Sequence, residues 1–218
     1  MRIVIAGGHG QIALRLERLL AARGDEAAGI IRRAEQSDDL RDIGAEPVVL
    51  DLESASVEEV AAVLQGADAA VFAAGAGPGS GAARKDTVDK AAAVLFADAA
   101  VQAGVRRFVI VSSMGADPHH EGDEIFDVYL RAKGEADAYV SGLDSLDWTI
   151  LRPGALTDDP GKGLVRLEAH TGRGSVPRDD VAAVIAELLD TPATAGLTLE
   201  LISGSTPVSV AVKSVAGN

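Results

Sequence analysis

Tyr129 and Lys133 stand four residues apart in YLRAK, a spacing that puts both side chains on one face of a helix. A phenol with a pKa near ~10 is a poor proton donor or acceptor at neutral pH, and an adjacent ammonium lowers that value by about 1–3 units by stabilising phenolate. The pair therefore suits general acid–base work on a substrate oxygen. Just upstream, RRFVIVSS reads as a buried strand ending in Ser112 and Ser113. The plain alternative is a surface tyrosine beside a solvated lysine, and the location after a strand end weighs against it.

A second group opens the chain. IAGGHGQIA, at positions 5–13, spaces Gly7, Gly10 and Ala13 at intervals of three. A strand that enters a helix through a glycine turn leaves unpaired N–H groups at the positive helix end, an arrangement that holds pyrophosphate. Gly7 can make the turn, Gly10 lets the backbone approach the ligand, and Ala13 lets helix and strand pack closely. His9, Gln11 and Ile12 are the other candidate contacts of this turn. The second strand ends in Arg32 and Arg33, where an acidic residue would face a ribose 2′-hydroxyl. Guanidinium suits a 2′-phosphate instead, through charge-assisted bidentate contacts, and His9 could add a donor. The expected cofactor is NADP(H), with NAD(H) the other candidate. A solvated basic pair at the start of a loop is the competing account of the arginines, and a solvated imidazole that of His9.

These groups need elements to position them. RIVIAGG reads as a strand, and QIALRLERLLAARG as a helix with Ile12, Leu16, Leu19 and Leu20 on its inner face, closed by Gly24. EAAGIIRR is a weaker strand, PVVLDLE a clearer one, and SVEEVAAVLQG a helix whose Ser56 and Glu59 have capping-box spacing. ADAAVFAAG is a fourth strand; a helix from about Thr87 to Ala103 ends at Gly104, and RRFVIVSS follows as the fifth. A helix around FDVYLRAKGEADAYV and a strand DWTILRPG continue the alternation. Strands and helices in this order imply right-handed crossovers and an α/β, doubly wound parallel sheet. After Gly154 the pattern loosens into a stretch rich in Gly, Pro and charge, then a helix from about Asp180 to Leu189 and a strand LTLELIS. The expectation is one domain over residues 1–218, with residues 155–218 supplying small cap elements on the substrate side. The tail TPVSVAVKSVAGN reads equally as a frayed helix or an edge strand.

GGHGQIA, VVLDL, FAAGAG, VIVSS, YLRAK and TILRPG, in this order over roughly the first 155 residues, resemble the atypical, extended-like short-chain dehydrogenases/reductases, Rossmann-fold proteins related to NAD-dependent epimerases and dehydratases. The resemblance implies Tyr129 as general acid/base, Lys133 holding the nicotinamide ribose and tuning the phenol, and Ser113 orienting the substrate oxygen, with Ser112 as the fallback. It also implies Asp51 and Leu52 flanking the adenine, Ala73, Ala74 and Gly75 lining the adenosine side, and Pro153 near the nicotinamide. Two departures stand out: Ala6 replaces the usual Thr before the first glycine, and the cap is much shorter than in sugar-nucleotide epimerases. The activity implied is hydride transfer between nicotinamide and a small carbonyl or alcohol. The alternatives are a non-catalytic NADP(H) sensor of the NmrA-like kind and an NAD-dependent epimerase or dehydratase.

Composition narrows the partners. A net charge of −13 and only 3% aromatic residues argue against nucleic acid, and no apolar run approaches the length of a membrane span. The chain has no cysteine, which excludes thiol catalysis and disulfides and fits a cytoplasmic protein. MRIVIAGGHG reaches glycine before a signal-peptide core can form. HHEGDE, at 119–124, could offer metal ligands, but adjacent residues of an acidic loop seldom converge on one ion, so a solvated lid and no metal site are expected. A small-molecule partner and a monomer or homodimer complete the expectation.

Overall fold

RIVIA forms strand β1 (Arg2–Ala6), and its side chains divide between two cores: Ile3 and Ile5 on one face of the sheet, Val4 and Ala6 on the other. Burial on both faces explains why the run is apolar without alternation. The computed structural model describes residues 1–77, 81 and 84–217. Five further strands, β2 (Glu26–Ile31), β3 (Glu46–Val49), β4 (Ala69–Phe72), β5 (Arg107–Val111) and β6 (Asp147–Pro153), pair in parallel in the order β3-β2-β1-β4-β5-β6. The order reverses between β1 and β4, which opens a crevice at the carboxyl ends of those strands.

Helices cover both faces. On the Ile3 side lie α1 (Gln11–Ala22), α2 (Ser37–Asp42) and, from late in the chain, α6 (Arg178–Leu189) and α7 (Val208–Ala216); on the Val4 side lie α3 (Val57–Leu64), α4 (Ala92–Ala103) and α5 (Ile125–Ser141). Ser56 and Glu59 close the expected capping box on α3, at 3.2 and 2.8 Å. Phe72, Phe96 and Phe108 fill the second core, with successive ring centroids 6.1 and 5.8 Å apart. The helix expected from about Thr87 begins two residues earlier as a π-helical segment, Lys85–Ala91, that runs into α4 and stops at Gly104, whose φ of +75° suits only glycine.

One expectation about α1 is corrected. Its buried stripe is Ile12, Ala13, Leu16, Glu17 and Leu20, so the stripe is turned toward Glu17 and leaves Leu19 41% exposed.

The segment after Gly154 mostly widens the main sheet. β10 (Leu197–Ser203) pairs parallel with β6, β8 (Leu164–Glu168) pairs antiparallel with β10, and β11 (Thr206–Pro207) pairs antiparallel with β8. β7 (Ala155–Thr157) and β9 (Ser175–Pro177) form a separate two-stranded sheet. Val165, Leu167, Val181 and Leu199 share one core with Ile3 and Leu16. Arg107 ties this region to β5, donating to the Asp147 and Leu188 carbonyls and to the Thr149 and Thr194 hydroxyls at 2.7–2.9 Å. Burial pulls its guanidinium down to about 10. The ambiguous tail is both things in turn, a two-residue edge strand and then α7.

Candidate active site

The crevice between β1 and β4 is floored by the glycine turn. Gly7 has φ +81°, and a Cβ there would lie 2.6 Å from the Cα of Ala74. Gly10 caps α1 with extended backbone, its N–H donating to the Gly7 carbonyl at 2.7 Å, and a Cβ on it would come within 2.9 Å of that same oxygen. Neither position admits a larger residue without movement. Ala13 is fully buried behind the turn. No side chain caps α1 and no acidic residue occupies its first turn, so its leading N–H groups are available to an anion. These features fit a dinucleotide pyrophosphate.

From this turn the crevice extends in two directions. The first half encloses about 230 Å³, with Gly7, His9, Gly10 and Arg32 on its wall beside Asp51 and Leu52. Ala73, Ala74 and Gly75 line both halves and join them. Arg33 stands exposed outside this wall, in extended backbone. His9 turns its Nε2 to Asp39 Oδ2 at 2.6 Å, so its ring is already engaged by a carboxylate. Arg84, absent from the sequence reading, lines the same half and pairs with Glu53 at 2.6 Å. A hydrogen bond from Thr87, reinforced by Arg84, holds the Glu53 carboxyl below its ordinary range.

The second half encloses about 590 Å³ and carries the groups suited to acid–base work. Gln11, Ile12, Ser112, Tyr129 and Lys133 line it. Tyr129 stacks against Phe126, with centroids 5.9 Å apart, and the Lys133 ammonium lies 6.0 Å from the phenol ring's centroid. Lys133 is buried, and its Nζ lies 3.3 Å from Asp89 Oδ1 while donating to the carbonyls of Val111 and Ala74 at 3.2 and 3.4 Å. Ser112, the fallback, sits on the cavity wall and donates to Asp137 Oδ2 at 2.8 Å; Ser113 is half-buried off the wall with its hydroxyl toward the Met114 carbonyl at 3.3 Å. Pro153 is buried beside these groups in sequence register but is not on the wall, its carbonyl accepting from Met114 N–H at 3.0 Å. Burial raises the Asp137 carboxyl above its usual range, against the opposing pull of Arg152 at 2.8 Å and of Ser112.

Besides Asp137, sequence reasoning missed three buried ionisable groups around this crevice. Lys85 and Asp89 line the second half, Asp89 fully buried. Their one sequence-level sign is the i, i+4 pairing of opposite charge, which ordinarily marks a solvated helix face. Glu17 is fully buried beneath the turn, with neither carboxyl oxygen hydrogen-bonded among the described residues. A Cβ on Gly29 would strike its Oε1, and one on Gly8 would lie 3.0 Å from it, so two glycines make the slot that holds the carboxyl. Burial pushes Glu17 up to about 8.

In the 119–124 stretch, His120 Nε2 lies 3.0 Å from Asp127 Oδ1, and Asp127 also accepts from the N–H of Glu124 at the start of α5. Among the described residues no group of three or more His, Cys, Asp or Glu converges to hold a metal, and no helix is long and apolar enough to cross a membrane.

Residues 7–192 match the family model described as NAD(P)H-binding. The chain is 36% identical over 214 residues to an uncharacterised sugar epimerase of Bacillus subtilis, YhfK, spanning 98% of this chain and 99% of that one. Among solved structures it is similar to the oxidoreductase ylbE of Lactococcus lactis, with 28% identity, a TM-score of 0.86 and coverage of 100% and 98%. ChuY, an anaerobillin reductase of Escherichia coli, superposes with a TM-score of 0.78 at 25% identity over 93% of this chain and 97% of that one.

Proposed function

We propose, since the chain belongs to the NAD(P)H-binding family, that it is an NADP(H)-dependent oxidoreductase of the short-chain dehydrogenase/reductase type, acting on a small carbonyl or alcohol with Tyr129 as general acid/base. The observation that carries this reading is the phenol of Tyr129 on the wall of a cavity of about 590 Å³ that is continuous with the glycine turn, with a buried ammonium nearby. When bound, the nicotinamide supplies or accepts hydride at the substrate carbon.

The chain's own residues do the rest. Gly7 and Gly10 hold the backbone open to the pyrophosphate, Arg32 meets the 2′-phosphate, and Asp51 and Leu52 flank the adenine. Tyr129 gives a proton to the substrate oxygen as the carbonyl becomes an alcohol, or takes it back in the reverse direction. The Lys133 charge favours the phenolate left behind. Ser112 is the better placed hydroxyl to steady the substrate oxygen, since it lines the cavity and Ser113 does not. Asp137 and Arg152 orient that serine from behind.

Tyr129→Phe tests the reading because it keeps the ring and removes the proton. Reduction of the best substrate in a panel of small aldehydes and ketones should fall by about 10²-fold or more, with NADPH affinity unchanged. Equal rates in parent and variant would remove Tyr129 from the chemistry. A second reading, an NADP(H) sensor without turnover, is favoured by one observation: Lys133 already has carbonyls and Asp89 as partners, so its expected ribose contact requires an exchange. Tight binding that distinguishes reduced from oxidised cofactor, with no carbonyl turned over, would select the sensor.

A further inference from the structure

We propose that Lys85 forms an anion subsite in the Tyr129 cavity, making the substrate a carbonyl compound that carries a carboxylate on an apolar body. The inference rests on the carbonyl-reducing reading of this cavity, and its test separates the two. Lys85 is only 8% exposed, and its ammonium lies 5.1 Å from the centroid of the Tyr129 ring. Among the described residues it donates one hydrogen bond, to the Gly77 carbonyl at 3.2 Å, and its ion-pair partner Asp89 stands at 3.9 Å. Asp89 is nearer to Lys133, at 3.3 Å. One buried carboxylate therefore serves two buried ammoniums.

The remaining charges nearby are matched. Arg178, on the same wall, pairs with Asp158 at 2.8 Å, and Asp137 behind Ser112 pairs with Arg152 at 2.8 Å. The excess is positive and falls on Lys85, in a chain whose formal net charge is −13. A buried ammonium short of a counter-charge is costly, and a ligand carboxylate would supply both the charge and acceptors for its unused N–H groups. The same cavity presents Ile125, 56% exposed, and Phe126, 62% exposed, together with Leu156. Large apolar side chains held open beside a buried cation suit a ligand with an apolar body and one anionic end.

The test compares 4-carboxybenzaldehyde with its neutral amide as substrates with NADPH, and benzoate with benzamide as calorimetric ligands of the protein saturated with NADP⁺. The parent should favour acid over amide by about tenfold in kcat/KM, and benzoate over benzamide by a similar factor in Kd. Lys85→Met should collapse both ratios, Lys85→Arg should retain most of each, and NADPH affinity should be unaffected in both variants. The proposal is overturned if the parent does not prefer benzoate, or if Lys85→Met weakens benzoate and benzamide alike. It is equally overturned if Lys85→Met weakens NADPH binding instead, which would place Lys85 on a cofactor phosphate. Should benzoate bind through Lys85 while neither aldehyde is reduced, the subsite stands and the reductase reading falls.

Discussion

The two halves of the crevice use charge in opposite ways. In the Arg32 half the charged side chains reach solvent: Arg32 is exposed, and His9 and Arg84 are half-buried with carboxylate partners. In the Tyr129 half, Lys133, Lys85 and Asp89 are buried, and both ammoniums depend on the one carboxylate. Solvent screens the first set and not the second, so burial, more than the number of contacts, should set how much each residue matters. Any discrimination between cofactors by Arg32 should therefore be graded, whereas loss of one buried charge near Tyr129 should disturb the whole arrangement.

Lys133→Met should give the largest effect. Removing one partner of a buried pair leaves Asp89 facing only the more distant Lys85, and such changes cost about 3–5 kcal/mol. Urea unfolding should show that loss, and Asp89→Asn added to Lys133→Met should recover part of it. A fully stable Lys133→Met protein would break the comparison at its buried end.

Glu17, buried beneath the glycine turn, should come next. Its folded value of about 8 lies above the ordinary 4.5. Between those values the folded chain keeps a proton that the unfolded chain has released, so stability is greatest below pH ~4.5 and falls by about 1.4 kcal/mol per unit as pH rises toward 8. Glu17→Gln cannot titrate. It should match the parent near pH 4.5 and exceed it by up to about 3 kcal/mol at pH 7, as read from urea midpoints at several pH values. Parallel pH profiles for the two proteins would show that Glu17 finds a charge partner or water in its slot.

Arg32→Glu should give the smallest of these effects. The parent should prefer NADPH to NADH by about tenfold, corresponding to about 1.4 kcal/mol, and the variant should erase or reverse that order without changing stability. Equal affinities in the parent would show that the exposed arginine is solvated and leaves the 2′-phosphate unread.

The order of legibility follows the same division. Strands β1, β4 and β5 were readable because burial on both faces demands continuous apolar residues, and the glycine turn because its sterics admit little else. YLRAK was readable because its spacing is a helical one. The five residues of LVRLE were harder to see: Val165 and Leu167 point inward in simple alternation, but the surrounding glycines, prolines and charges resemble a loop. Glu17, Lys85 and Asp89 left almost no trace. A charged residue in an amphipathic helix is ordinarily solvated, and the facts that bury these three, such as the slot between Gly8 and Gly29, come from segments distant in sequence.

The π-helical segment at Lys85–Ala91 bears on how this chain can change over evolutionary time. A helix advances about 100° per residue, so deleting one residue between Lys85 and Ala92 would swing everything before the deletion around the axis while α4 kept its seat in the core. The repaired helix would be more regular, with ordinary 13-atom hydrogen-bonded rings, and Lys85 would no longer look toward Tyr129. Surface loops accept insertions and deletions with little consequence. Here the loss of a single codon would trade a Lys85 turned toward the Tyr129 cavity for a smoother helix, so the length of this short stretch decides which charge that cavity presents.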